Sequence, residues 1–172
     1  MMMRMLEAGG MPILSDNIRR ADADNPNGYY EFEPVKHLSQ DSSWLRDAYG
    51  KAVKMVYRLL YELPLEHKYK VLMINRRIEE VVASQDAMLQ HMGKDKGTKR
   101  ADLAKILQND LDRVQAWLQS RPSFLVLNLN YNSIIGDPES AASALNEFLG
   151  GRLDTPAMSG VVDVSLYRHR RL

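Results

Sequence analysis

The chain runs Val71-Leu72-Met73-Ile74-Asn75-Arg76-Arg77 into a helical pattern that starts at Ile78 and contains Ser84. A short continuous apolar run feeding a helix reads as a strand-to-helix junction. In open α/β sheets, ligands bind outside the carboxyl ends of the strands. A cation at that point and a hydroxyl eight residues later, about two helical turns on, can face one anion. Arginine suits this better than lysine because its planar fork grips phosphate oxygens in pairs. The same spacing also fits a surface arginine and a helix-packing serine, so spacing leaves both readings open.

Other chemistries have weaker footholds. There is no cysteine, so disulfides, thiolate catalysis and cysteine-based metal sites are excluded. His37, His67, His91 and His169 are scattered without metal-ligand spacing and read as surface residues, and no metal is expected. The acids form no paired arrangement that demands acid/base or calcium chemistry. No Gly-x-Ser-x-Gly nucleophile elbow exists. The basic stretch Gly93-Lys94-Asp95-Lys96-Gly97-Thr98-Lys99-Arg100 falls between two helical patterns rather than after a strand, so it reads as a solvated turn and not a phosphate loop. Trp44 and Trp117 are expected in the core or at an interface rather than as nucleotide stackers.

The 172 residues suit one domain, with 45% hydrophobic and 26% charged side chains. A net charge of +1 leaves no basic excess for nucleic acid. No apolar run approaches the roughly 20 residues of a bilayer span. Arg4 and Glu7 interrupt the N-terminal apolar stretch, unlike a signal peptide. The expectation is a cytoplasmic protein without nucleic-acid or membrane partners.

The elements that must position Arg76 and Ser84 can be read in order. Five of the ten methionines lie in the first eleven residues, as a short helix stopped by Gly9 and Gly10. Residues 15–43 are polar and turn-rich around Asn25-Pro26-Asn27-Gly28, too long and too aromatic for a passive linker. Three strands are expected, at Lys51–Tyr57, Val71–Ile74 and Phe124–Leu129. Their near-continuous apolar character suits strands buried on both faces of a parallel sheet. One helix carries Ile78, Val81, Val82, Met88, Leu89 and Met92; a second runs from Leu103 to Leu118. Asp137-Pro138-Glu139 starts another, ending at Gly150-Gly151. Strands alternating with helices predict an α/β fold with a mainly parallel sheet in a single domain, 1–172.

Several of these stretches together resemble the bacterial sulfotransferase family. Asn75-Arg76-Arg77-Ile78-Glu79-Glu80-Val81-Val82-Ala83-Ser84-Gln85 resembles the family's motif in which an Arg at a strand end and a Ser eight residues later hold a 3′-phosphate. Asn25-Pro26-Asn27-Gly28-Tyr29-Tyr30-Glu31, Tyr131 with the following Asp137-Pro138, Phe148-Leu149-Gly150-Gly151 and the tail Val162–Arg171 resemble other family stretches in the same order. The resemblance implies a P-loop NTPase-like three-layer fold. It also implies sulfuryl transfer from 3′-phosphoadenosine-5′-phosphosulfate, without a metal, to a hydroxyl or amine acceptor. Arg76 and Ser84 would hold the 3′-phosphate, Tyr131 would meet the adenine, and Arg168 would reach a phosphate from the tail. Glu31 is the candidate base, with Glu33 second. Lys54 would stabilise charge on the bridging oxygen.

The chain departs from the family pattern in three places. No loop resembling Gly-x-Pro-Arg-Ser-Gly-Thr-Ser occurs in the 172 residues, and Met1 falls where the first helix should already be under way. The expectation is an N-terminally truncated chain whose authentic start lies upstream. Val56 replaces the His of a Lys-x-His motif, and Asn132 and Ser133 replace parts of a Tyr-x-Asp turn. A competing reading is therefore a non-catalytic remnant that keeps half of a nucleotide site; another P-loop transferase or kinase is a third. Loss of a central strand would open a gap of about two strand spacings, each ~4.8 Å, or force its neighbours together. A destabilised chain that oligomerises through its exposed sheet is expected.

Overall fold

The computed structural model describes residues 1–16, 18, 19, 21, 25, 28–91 and 100–163. At its centre β1 (Tyr69–Asn75) and β2 (Phe124–Asn130) pair in parallel, in register from Tyr69 opposite Phe124 to Asn75 opposite Asn130. Parallel strands need a crossover. It is supplied by α2 (Ile78–His91) and α3 (Arg100–Gln119).

The apolar runs of both strands are explained by two cores, one on each face. Tyr69, Val71 and Met73 of β1, with Phe124 and Val126 of β2, face the first core. There they meet Val114 and Leu118 of α3 and buried residues from three 3-10 turns, Glu33–His37, Ser43–Arg46 and Tyr57–Glu62. Leu72 and Ile74, with Leu127 and Leu129, face the second core. It is built from α1 (Met2–Ala8), α4 (Tyr131–Gly136), α5 (Pro138–Leu149) and α6 (Thr155–Gly160). The arrangement is a small α/β one: a two-stranded parallel sheet between two apolar layers. Trp44 lies in the first core and Trp117 packs against it, edge-on to Tyr61 and tilted against Phe124.

Local signals end the helices where chemistry requires. The Met-rich helix α1 stops at Gly9, where a β-carbon would lie 2.6 Å from Cγ of the fully buried Met158. Asp137 caps α5 by accepting from the Ser140 amide at 3.0 Å, with Pro138 in the first turn. The Ser140 hydroxyl, which donates to Asp137 Oδ2 at 2.6 Å, and the Ser140 amide hold its carboxyl below the usual range. At the other end Gly150 closes α5 in the left-handed region, φ 119°.

One expected strand is absent. Over Lys51–Tyr57 only Ala52 makes a bridge, to Ile13, with the Leu14 amide donating to the Ala52 carbonyl at 2.9 Å. The physical reason lies in the side chains. Val53, Met55 and Tyr57 pack on the first core, whereas Lys54 is exposed and Val56 is 60% exposed. The segment thus has one apolar side, unlike β1 and β2, and Tyr57 already opens a 3-10 turn.

The Asn130 side chain caps α4, accepting from the amides of Asn132 and Ser133 at 2.9 and 3.2 Å. Substitution Asn130→Ala should cost about 1 kcal/mol, read as a lower urea midpoint with an unchanged slope.

Candidate functional site

Arg76 follows directly on β1 and Tyr131 directly on β2, one register step beyond the pair Asn75–Asn130. Side chains alternate along a strand. Arg76 therefore continues the row of Leu72 and Ile74, and Tyr131 the row of Leu127 and Leu129, on one face of the sheet. The guanidinium carbon of Arg76 lies 4.7 Å from the Tyr131 ring centroid, within cation–π range. The parallel register thus brings together two of the expected site residues, at the carboxyl end of the sheet.

A third residue joins them that the sequence reading did not single out. Glu80, in the first turn of α2, is only 3% exposed, and its Oε2 accepts from Arg76 Nε at 2.8 Å. The Arg76 side chain is itself 20% exposed. A carboxylate is rarely buried so deeply without a cation beside it. The spacing i, i+4 to an arginine was the available signal. Ser84 lies a further turn along α2 and is half-buried. On the opposite face, Asn75 and Gln115 both donate to Asn128 Oδ1, at 3.3 and 3.4 Å.

The other expected residues form a second cluster in the segment that leads to the first 3-10 turn. Asp16 organises it: one carboxylate oxygen accepts from the Ile18 amide, the other from the Glu33 amide, and the Asp16 amide donates to the Glu31 carbonyl. The two amide bonds hold the Asp16 carboxyl below its ordinary range. Gly28, at φ 78°, closes the expected turn with Asn25, whose carbonyl accepts from the Gly28 amide. Glu31 accepts from Arg19 at 3.2 Å, and the Arg19 guanidinium lies 3.4 Å from the Tyr29 ring centroid. Lys54 Nζ donates to the Tyr29 carbonyl at 2.8 Å and lies 5.8 Å from the same ring. Although Lys54 is exposed as a whole, partial desolvation of its ammonium pushes it below its ordinary range; Glu31 opposes that effect and Arg19 adds to it. Glu33, the second base candidate, is exposed and paired with Lys36 at 2.6 Å. Val56 presents no base.

Tyr30 ties this segment to α1. Its backbone takes a positive φ of 52°, and its hydroxyl donates to Glu7 at 2.6 Å. Burial and the Glu7 carboxylate push the phenol up to about 12. Tyr69 is likewise pushed up to about 12, chiefly by burial. A raised phenol contributes stability that is fully present below its ordinary value of about 10 and is lost as pH climbs through about 12. In a tyrosinate absorbance titration, Tyr30 and Tyr69 should ionise near pH 12. Tyr30→Phe should remove one of them.

Among the described residues no group of three His, Asp or Glu could hold a metal ion, and no helix is long and apolar enough to cross a membrane. Arg168, most of the basic loop 93–100 and the tail from 164 onward lie outside the described residues. No protein-family model, curated protein or solved structure matches the chain.

Proposed function

We propose that the chain is a sulfotransferase-like protein with a P-loop NTPase-like arrangement. Its donor would be 3′-phosphoadenosine-5′-phosphosulfate and its acceptor a small molecule bearing a hydroxyl or amine. The observation that supports this is the meeting of Arg76 and Tyr131. They are the residues that the resemblance reserves for the 3′-phosphate and the adenine, and they come from separate strand ends. The donor set suits such a ligand. A guanidinium carries five N–H donors in a planar fork that matches phosphate oxygens. Ser84 would add a hydroxyl and Tyr131 an aromatic face. Arg168 is a further proposed phosphate contact.

In the reaction, the acceptor oxygen or nitrogen would form a bond to sulfur while the bond from sulfur to the 5′-phosphate oxygen breaks. Catalysis of that kind rests on positioning and charge stabilisation. Glu31 would take the acceptor's proton, and Lys54 would stabilise the charge left on the departing phosphate oxygen.

The test is calorimetric titration with 3′-phosphoadenosine-5′-phosphate, the product nucleotide. Wild-type protein should bind it. The double variant Arg76→Gln/Glu80→Gln, which removes both charges of the pair, should bind about 10- to 100-fold more weakly while still folded. Absence of binding by the wild type sinks the reading. One observation favours a second reading, a nucleotide-binding module without turnover: the exposed Val56 stands where a histidine base would be expected. Binding of the nucleotide without sulfate transfer from labelled donor to any of a phenol, alcohol and amine panel would select it. Self-association through the strand edges is a further proposal, read from sedimentation at several concentrations.

A further inference from the structure

The geometry points to Arg19 as a positioning residue that holds Glu31 away from Lys54, so that the carboxylate and the ammonium do not neutralise each other. This inference rests on the sulfuryl-transfer reading, in which Glu31 and Lys54 do separate work. Arg19 is engaged twice: its guanidinium carbon lies 3.4 Å from the Tyr29 ring centroid, and its Nη1 reaches Glu31 at 3.2 Å. Tyr29 is shared, since its carbonyl accepts from Lys54 at 2.8 Å. Lys54 thus has a neutral acceptor, whereas Glu31 has a cation of its own. The two charges sense each other, because Glu31 favours the Lys54 ammonium. No Lys54–Glu31 bond forms even so. Among the described residues, the other charges that sense Lys54 are cationic, Arg19 and the Met1 amino group.

Without Arg19, the cations that still sense Glu31 among the described residues are Lys54 and Lys36, and Lys36 already has Glu33 at 2.6 Å. An opposite charge that moves in beside an ammonium stabilises it. The titration of Lys54 is therefore the direct readout, followed by the ¹³Cε shift in ¹³C-lysine-labelled full-length protein and assigned with Lys54→Arg. Arg19→Gln should raise the Lys54 midpoint. In a Glu31→Gln background the same substitution should move it much less, because the partner that Arg19 restrains is gone. No rise in Arg19→Gln overturns the inference. An equal rise in both backgrounds also overturns it, since that reports only the loss of a repelling cation. Arg19 is half-exposed, so the variant should fold, and an unchanged melting temperature checks this.

Turnover is the second readout. With 3′-phosphoadenosine-5′-phosphosulfate as donor, Arg19→Gln should lower kcat about 10- to 100-fold. Its affinity for the product nucleotide should stay that of the wild type, because Arg76 and Tyr131 are untouched. A wild-type protein with no turnover would defeat the sulfuryl-transfer reading. The Lys54 titration would still decide whether Arg19 keeps the two charges apart.

Discussion

Substitution Arg76→Ala should destabilise the protein by about 3–5 kcal/mol, out of proportion to an arginine at the edge of a sheet. The cost comes from its partner. Glu80 is 3% exposed and accepts from Arg76 Nε at 2.8 Å, so removing the guanidinium leaves a deeply buried carboxylate without the cation that faces it. The stacking of Arg76 on Tyr131 is lost as well, a smaller effect of about 0.5–2 kcal/mol. The converse substitution, Glu80→Gln, should cost less. Arg76 keeps one-fifth of its side-chain surface exposed, and it keeps the Tyr131 ring. The double variant Arg76→Gln/Glu80→Gln should recover most of the loss. A double-mutant cycle by urea unfolding, with Arg76→Gln and Glu80→Gln as its single variants, separates these effects, and near-additive costs would show that the pair is not coupled. The same arithmetic bears on function. A single Arg76 variant that fails to bind nucleotide reports on folding as much as on binding, whereas the charge-neutral double variant reports on binding.

Substitution Leu145→Ala should cost about 2–5 kcal/mol, through a cavity in the second core. Leu145 is fully buried on α5, in a cluster that includes Met5 and Leu6 of α1, Ile134 of α4 and Met158 of α6. The damage should be uneven. α1 has only seven residues, and a helix of that length is not stable alone in water. It is held by the packing of Met5 and Leu6. In Leu145→Ala the amides of α1 should therefore exchange with deuterium earlier than those of β1 and β2. Undocking of α1 also removes Glu7 from Tyr30, so the Tyr30 phenol should return toward its ordinary range. A cavity felt equally in all elements, with Tyr30 unmoved, would contradict this.

Much of the layout was legible because local rules dictate it. The apolar runs at 71–74 and 124–129 are strands because each must face two cores, and no alternating pattern could do so. Gly150 ends its helix, and Asp137-Pro138 starts one, for reasons contained within a few neighbouring residues, whereas Gly9 is required by Met158 across the fold. Lys51–Tyr57 misled because Val53, Met55 and Val56 resemble a buried strand in composition. Which of them faces the core depends on what lies across from them, and Val56 faces out.

By itself the sequence determined that Arg76 stands at a strand end, that Ser84 lies about two helical turns on, and that no thiol chemistry is open to this chain. The tertiary structure alone decided which side chains meet there. Arg76 and Tyr131 are 55 residues apart and come together because the strands before them run parallel with Asn75 opposite Asn130. Register is set by packing on two cores at once, and a shift of one residue would send every side chain to the other face. The burial of Glu80 and the meeting of Arg19, Glu31 and Lys54 around Tyr29 are of the same kind. They depend on which surfaces the fold removes from water, and no run of neighbouring residues encodes that.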